Sequence, residues 1–278
     1  MDVLSGVISR AKPLLGTVVS IQVVQSDTWV DAERAMQRAF GLIAHLASVM
    51  SAHEPLSDLG RLSRGESGEV LTLDPHTVAV LQAAQYWMHQ SAGAFNPARA
   101  GLALARRGRR PGLKMTAEGP ADVRHLTILS EREVQLHAPV SLDFGGIAKG
   151  YAVDQAATCL MQHGVSAALI NAGGDLRIVG EQSWPIEIVH ARQSLRDHAF
   201  QKPLRMAHGA LATSSSLKHE TEFVLTLSQR RAQWTSATVR ARDCMTADVL
   251  TKWALQSSPL CPRLKTALRH HHAQMWRS

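Results

Sequence analysis

The sequence predicts an α+β fold in which helices pack on a mixed, mostly antiparallel sheet. Several segments carry apolar residues at helical spacing, and short runs rich in β-branched residues, typical of strands, lie between them. Helices and strands alternate irregularly, and some strands follow one another without an intervening helix. This order favours α+β over a doubly wound parallel sheet.

The first half of the chain predicts one strand and two long helices. Leu14–Val24 alternates and is rich in β-branched residues, which predicts a strand, while the apolar spacing of Asp31–His53 predicts an amphipathic helix. We expect a loop with a short helix over Ser57–Gly68 and a second long helix over His76–Gln90. Glycine, proline and charged residues over Gly101–Arg124 indicate an irregular connection.

The second half predicts mainly short strands. Two are expected between Val123 and Leu142, and a helix follows from Ile147 to the residues before Gly164. A last helix is expected over Thr246–Gln256, with Thr246 as its N-cap residue. Further strands are predicted at Ala167–Ile170, Asp175–Val179, Ile186–Val189, Leu204–Ala212 and Trp234–Ala241.

The composition bounds the class of protein. With 278 residues, of which 45% are hydrophobic, the chain can bury a core, and we expect one domain over residues 1–278. We see no apolar run long enough for membrane insertion, and no signal peptide or lipobox, so we expect a cytoplasmic protein. The 3 cysteines have neither a close pair nor a metal-ligand spacing, which indicates reduced thiols.

The net charge of +7 raises the question of nucleic-acid binding. The densest basic cluster lies between Arg106 and Arg110, with no aromatic residues among its arginines, and only 5% of all residues are aromatic. Proteins that hold single strands need aromatic side chains on which bases stack. We therefore expect no nucleic-acid partner and interpret the cluster as a solvated loop.

The segment LDFGGIAKGYAVD, from Leu142 to Asp154, carries the most chemical information. Asp143 precedes two glycines, which let the backbone approach a ligand closely, and the predicted helix follows at once. A helix N-terminus favours an anion, and Lys149 adds a positive charge that is unfavourable there without a negative partner. A phosphate is the simplest partner; the alternative is an ordinary glycine turn with a solvated lysine.

This segment resembles the signature of the ApbE family, the FAD:protein FMN transferases. Its members carry D-[LF]-[GS]-[GA]-[IV]-[AG]-[KE]-G-Y-[AG]-[VA]-D, then a strand and an N-A-G-G-D turn, which Asn171–Asp175 matches. The resemblance implies one ApbE-like domain, related to the T-fold. Further similarity lies at Pro13–Ile21, Met50–Ser63, Gly93–Pro97, Leu211–Ser215 and Thr246–Leu255.

The resemblance also implies an activity and its residues. FMN would move from FAD to a threonine or serine hydroxyl of an acceptor flavoprotein carrying D-x-x-[ST]-[GA]-[AT]-[ST], with release of AMP. Mg²⁺, which prefers oxygen ligands, would be held by Gly146, Asp248 and Thr251, while Asp248 and His219 would be catalytic. The implied FAD contacts are Leu15, His53, Ala94, Phe95, Asn96, Asp143 and Lys149.

The chain departs from the family pattern at the implied metal site. Family members typically have a threonine four residues after the aspartate, whereas here Thr251 stands three after Asp248 and Lys252 takes the fourth position. Both positions neighbour Asp248 on a helix. Either Thr251 reaches the ion after a small rotation, or the Lys252 ammonium takes its place and pairs with Asp248 or the diphosphate. Alternatively, Asp248 is a first-turn carboxylate stabilised by the helix dipole.

Other departures leave the function open. Leu15, His53 and Asn96 stand for the family's methionine, tyrosine and aspartate, and no H-I-I-D-P-x-T-G segment is recognisable around His219, the candidate general base. Three hypotheses follow. The chain is a transferase, an FAD-binding protein that has lost transferase activity, or an FAD hydrolase that gives FMN and AMP.

Overall fold

A computed structural model describes residues 6–24, 31–98, 123–138, 140–187, 204–215 and 234–278. The described helices are α1 (Ala32–Val49), α2 (Asp58–Leu62), α3 (Pro75–Gln90), α4 (Ala148–Gln162), α5 (Cys244–Gln256) and α6 (Pro262–His270), with a 3₁₀ turn at Val123–His125. The strands are β1 (Val7–Leu14), β2 (Thr17–Val24), β3 (Val70–Thr72), β4 (Leu126–Ile128), β5 (Glu133–Leu136), β6 (Ala167–Ala172), β7 (Asp175–Gly180), β8 (Trp184–Ile186), β9 (Leu204–Met206), β10 (Gly209–Ser215), β11 (Ser236–Ala241) and β12 (Gln274–Arg277).

A seven-stranded sheet of order β1-β2-β6-β7-β10-β11-β12 forms the centre of the fold. Smaller sheets of order β3-β5-β4 and β8-β9 accompany it. Within the described ranges every strand pairing is antiparallel, which confirms the predicted α+β class. None of the helices in these ranges is long and apolar enough to cross a bilayer.

The two faces of the central sheet are buried by different elements. On one face the alternating Val19, Ile21 and Val23 of β2 pack against α1 and α4. On the other face the β8-β9 ribbon covers the sheet, with Trp184 as its largest buried side chain. The period-2 alternation of the strands therefore decides which residues face the helices.

The strand predicted from Leu14 is the second strand of a hairpin. β1 was not predicted, because its middle residues Ser9–Lys12 are polar or small and exposed at the sheet edge, so it carries no apolar alternation. The turn between the strands is Leu15–Gly16, with φ of 56° and 70°. Both residues are left-handed, as in the tight turns that suit the twist of a hairpin.

The other predicted elements are largely confirmed, with corrected ends. α1 ends at Val49 rather than His53, α3 begins at Pro75, and the predicted strand Leu204–Ala212 divides into β9 and β10, which belong to different sheets. Strand β8 ends at Ile186, where the predicted strand began. α6 and β12 were not predicted, and the connection after Arg99 up to position 122 lies outside the described residues.

α4 and α5 approach each other at a glycine. A Cβ built on the buried Gly150 would lie 2.5 Å from the carbonyl oxygen of Cys244 and 2.7 Å from the Cα of Met245. Both are backbone atoms, so no side-chain rotation relieves the clash. The spacing of the two helices therefore requires glycine at this position.

We expect Gly150→Ala to lower the free energy of unfolding by about 2–3 kcal/mol, because overpacking forces the helices apart. The matched control is Gly41→Ala on the exposed face of α1, where an added Cβ meets nothing within 4 Å. Helix propensity predicts a gain of up to about 1 kcal/mol there. Urea unfolding followed by circular dichroism measures both; equal effects would contradict the proposed close contact.

Candidate functional site

The first turn of α4 brings Lys149 to the start of β7. Its Nζ lies 3.1 Å from Asp175 Oδ2, with side-chain exposures of 15% and 2%. This is an ion pair by distance, without the alignment of a hydrogen bond. The Asp175 carboxylate of the protein itself is thus the negative partner that the sequence analysis expected near Lys149.

Asp248 of α5 is completely buried, with 0% exposure. The Lys252 ammonium, one helical turn further on, donates to Asp248 Oδ1. The N–H of Gly150 in α4 lies 3.3 Å from Oδ2 and donates to it. Both carboxylate oxygens are therefore engaged, one by a full positive charge and one by a helix N-terminus.

Thr251 faces a different direction from the Asp248 carboxylate. Its hydroxyl donates to the Asp248 carbonyl oxygen at 2.7 Å. The oxygen of the Thr251 hydroxyl also lies 2.7 Å from Ser214 Oγ on β10. The Asp248 carboxylate instead faces the start of α4. In the family pattern the threonine stands four residues after the aspartate, and here it stands three after it. At this position its hydroxyl faces the sheet.

The starting residue of α5 corrects the first-turn interpretation of Asp248. Asp243, not Thr246, is the N-cap residue, and its Oδ1 accepts from the Thr246 N–H at 2.7 Å. Asp248 consequently lies more than a full turn inside α5. The dipole of its own helix does not account for its burial, whereas the N–H of Gly150 and the ammonium of Lys252 do.

Asp175 is perturbed by its surroundings. Burial raises the pKa of this carboxyl to about 6, and Asp248 adds to the rise, while Lys252 and Lys149 lower it. Two carboxylates and two ammonium groups therefore act on one another here. Asp175 ends the N-A-G-G-D turn but is not among the predicted site residues. Its position directly after two glycines is the sequence feature that could have identified it.

The Asp143 turn lies beside the loop formed by Gly93–Pro97, one of the segments that resemble the family pattern. Asp143 Oδ1 accepts from the Gly145 N–H at 2.8 Å, and the Asp143 N–H donates to the Pro97 carbonyl at 3.1 Å. Asn96 Oδ1 accepts from the Ala98 N–H at 3.0 Å. Phe95 and Asn96 are buried, at 0% and 7% exposure, so here they support the loop.

The remaining predicted site residues are dispersed. Gly146 is buried just before α4, Ala94 is half-buried, and Leu15 is half-buried in the strained hairpin turn. His53 is exposed between α1 and α2, and none of the hydrogen bonds or ion pairs found among the described residues joins its side chain to Lys149 or Asp248. His219 lies outside the described residues.

The residues implied as magnesium ligands do not fit a metal as they are arranged. The Asp248 carboxylate is already paired with the Lys252 ammonium and accepts the Gly150 N–H. The Thr251 hydroxyl lies between the Asp248 carbonyl and Ser214, away from that carboxylate. In the part of the chain that the structure covers, no group of 3 or more His, Cys, Asp or Glu side chains could hold a metal ion. The positive charge at this carboxylate is the Lys252 ammonium.

A second carboxylate, the half-buried Asp154, ties the same helices together and was not predicted. From α4, its two oxygens accept from the N–H groups of Cys244 and Met245 at 2.9 and 2.8 Å. These are the first two residues of α5, whose N–H groups have no partner within their helix. Its place at the end of the signature motif was the only sequence signal.

Comparison with known proteins gives one family. The model of the ApbE family matches residues 15–259. The FAD:protein FMN transferase of Treponema pallidum is 28% identical over 189 residues, which are 62% of this chain and 51% of that protein. That of Vibrio cholerae is 24% identical over 259 residues, 86% of this chain and 78% of that protein. The chain thus spans about half of the first relative's length.

The fold has close counterparts among solved structures. The ApbE protein of Thermotoga maritima superposes with a TM-score of 0.79 at 20% identity, covering 98% of this chain and 94% of that one. The flavin transferase ApbE of Vibrio cholerae gives 0.78 at 21% identity, covering 98% and 93%. At this identity the likeness establishes the fold.

We expect Asp154→Asn to reduce the dependence of stability on pH. Burial, the largest cause, raises the pKa of Asp154 from 3.8 to about 6, against the opposing N–H bonds of Cys244 and Met245. The folded chain thus holds a proton that the unfolded chain releases, so this residue's contribution falls as the pH rises from about 4 to about 6. Urea unfolding at about pH 4 and pH 7 should show wild type losing on the order of 1–3 kcal/mol more than the variant.

The test compares, between the two proteins, how much the free energy of unfolding changes from the lower to the higher pH. The amide of the variant accepts only one of the two N–H groups, which lowers its stability. This loss is the same at both pH values, so it cancels in the comparison. Identical pH dependence in the two proteins would contradict the raised pKa of Asp154.

Proposed function

Because the chain belongs to the ApbE family, we propose that it is an FAD:protein FMN transferase. The acceptor hydroxyl oxygen bonds to the FMN-side phosphorus of FAD, and the bond from that phosphorus to the bridging oxygen breaks. AMP leaves with the bridging oxygen and its electron pair, and the hydroxyl proton passes to a base. Both relatives described above bear this activity in their names.

The observation that carries the proposal is Lys149, held at the start of α4. Its side chain is 15% exposed, and the buried Asp175 orients its ammonium. An ammonium fixed in this way neutralises charge on a phosphate and forms charge-assisted hydrogen bonds with it. The diphosphate of FAD is the ligand that this arrangement suits.

The remaining roles belong to the proposal as well. Asp143, beside the Pro97 loop, would contact FAD together with Leu15, His53, Ala94, Phe95 and Asn96. His219 would take the acceptor proton, as general-base chemistry requires. Since the Asp248 carboxylate is paired with Lys252, its part is to hold the helix start that carries Lys149.

The partner is an acceptor flavoprotein with a threonine or serine in the D-x-x-[ST]-[GA]-[AT]-[ST] pattern. Neither this pattern nor a cytoplasmic location follows from the structure, and both stay predictions. A single domain over residues 1–278 is proposed in the same sense.

The direct test incubates the chain with FAD, Mg²⁺ and a domain bearing the acceptor pattern. Intact mass spectrometry measures added FMN, and chromatography measures AMP. Added FMN with an equal amount of AMP is expected. AMP with free FMN and no adduct would identify a hydrolase, and intact bound FAD would identify a binding protein; either result would overturn the proposal.

We expect Lys149→Met to weaken FAD binding roughly tenfold, because one charge-assisted contact to the diphosphate is lost. Titration calorimetry at low and high salt measures it, and the loss should be smaller at high salt. Lys265→Met, at an exposed lysine of α6, is the matched control and should bind as wild type does.

A second variant separates ligand contact from the loss of the Asp175 partner. Lys149→Met with Asp175→Asn leaves no unpaired buried carboxylate, so it should keep its fold and still bind FAD weakly. Wild-type affinity in this double variant would contradict a contact between Lys149 and the diphosphate.

A further inference from the structure

We propose that the Lys252 ammonium is the resident cation of Asp248, so that this chain binds the diphosphate of FAD without a divalent metal at that carboxylate. The identity of the ligand rests on the proposed function. The occupancy of Asp248 by Lys252 rests on the geometry of the site alone.

The first support is burial. Asp248 has 0% and Lys252 5% exposure. A buried carboxylate is stable as an anion only with a partner of opposite charge or several hydrogen-bond donors. The spacing of four residues on α5 places the ammonium on the same helical face, and its Nζ contacts Oδ1 directly.

The second support is that the oxygen atoms around the Asp248 carboxylate are not arranged as ligands for a metal ion. The remaining carboxylate oxygen accepts from the Gly150 N–H, and the Thr251 hydroxyl is directed to the Asp248 carbonyl and Ser214. A divalent ion needs several oxygen ligands in a regular arrangement. The ion would have to displace the Lys252 ammonium, because that cation contacts Asp248 Oδ1. The Gly150 N–H could stay, since each carboxylate oxygen has a second lone pair.

The third support is the balance of charge. Two ammonium groups and two carboxylates lie together, namely Lys149, Lys252, Asp175 and Asp248, and they are mutually neutral. In the site without FAD, a divalent ion added at Asp248 would leave two excess positive charges beside the buried Lys252 ammonium.

The test measures metal binding and FAD binding separately. Electron paramagnetic resonance measures the concentration of free Mn²⁺ while the chain is added to a Mn²⁺ solution, once without FAD and once with it. A solution of Mn²⁺ and FAD without the chain is the control. FAD affinity is measured by calorimetry in EDTA and in Mg²⁺. For wild type we expect no Mn²⁺ uptake beyond that of FAD itself and FAD affinities that agree within about twofold, less than 1 kcal/mol.

Lys252→Met removes the ammonium and keeps the bulk of the side chain. We expect it to take up Mn²⁺ and to bind FAD at least tenfold more weakly in EDTA than in Mg²⁺. Lys265→Met, the exposed control on α6, should behave as wild type does. The double variant with Asp248→Asn removes both charges of the pair and should take up no Mn²⁺, which assigns the uptake to Asp248.

Wild-type uptake of one Mn²⁺, or a tenfold loss of FAD affinity in EDTA, would overturn the proposal. So would a folded Lys252→Met that takes up no Mn²⁺. If Lys252→Met does not fold, the wild-type measurements decide alone. Wild type could also bind no FAD, either in EDTA or in Mg²⁺, and take up no Mn²⁺. This result would count against the proposed function, while the occupancy of Asp248 by Lys252 would stand.

Discussion

Two carboxylates, the buried Asp248 and the half-buried Asp154, hold α4 and α5 together, and the arrangement of the site depends on them. Asp154 of α4 accepts from the first two N–H groups of α5, and Asp248 of α5 accepts from the N–H of Gly150 in α4. Each helix thus satisfies donors at the N-terminus of the other. Because only glycine fits at position 150, the helices lie close enough for Lys149 and Asp248 to share one neighbourhood.

The charges of that neighbourhood are arranged in pairs that fix the position of Lys149. Lys149 pairs with Asp175 and Lys252 with Asp248, and burial raises the pKa of Asp175. Buried ion pairs contribute little net stability, since desolvation offsets their attraction, but removing one partner leaves a costly unpaired charge. Such a network is better suited to holding an ammonium in place for an anionic ligand than to stabilising the fold.

The sequence predicted what depends on local pattern and missed what depends on distant partners. The spacing of apolar residues was sufficient to predict the helices α1, α3 and α4. Strand β1 lies exposed at the sheet edge and has polar residues, so it shows no apolar alternation that would predict it. Asp243 and Thr246 are both acceptable N-cap residues, so only the contacts of α5 decide between them. The pairing of Lys252 with Asp248 was one of several options that the sequence left open, because the side-chain directions of Thr251 and Lys252 depend on contacts outside α5.

The replacement of a mobile dication by a tethered ammonium has a chemical consequence. An ammonium carries one positive charge instead of two and donates hydrogen bonds, but it has no vacant coordination position for an attacking or leaving oxygen. Lys252 therefore stabilises Asp248 without being able to align an acceptor hydroxyl with phosphorus. In the proposed transfer, neutralisation of the diphosphate then depends on Lys149, and alignment of the hydroxyl depends on the acceptor protein as it docks.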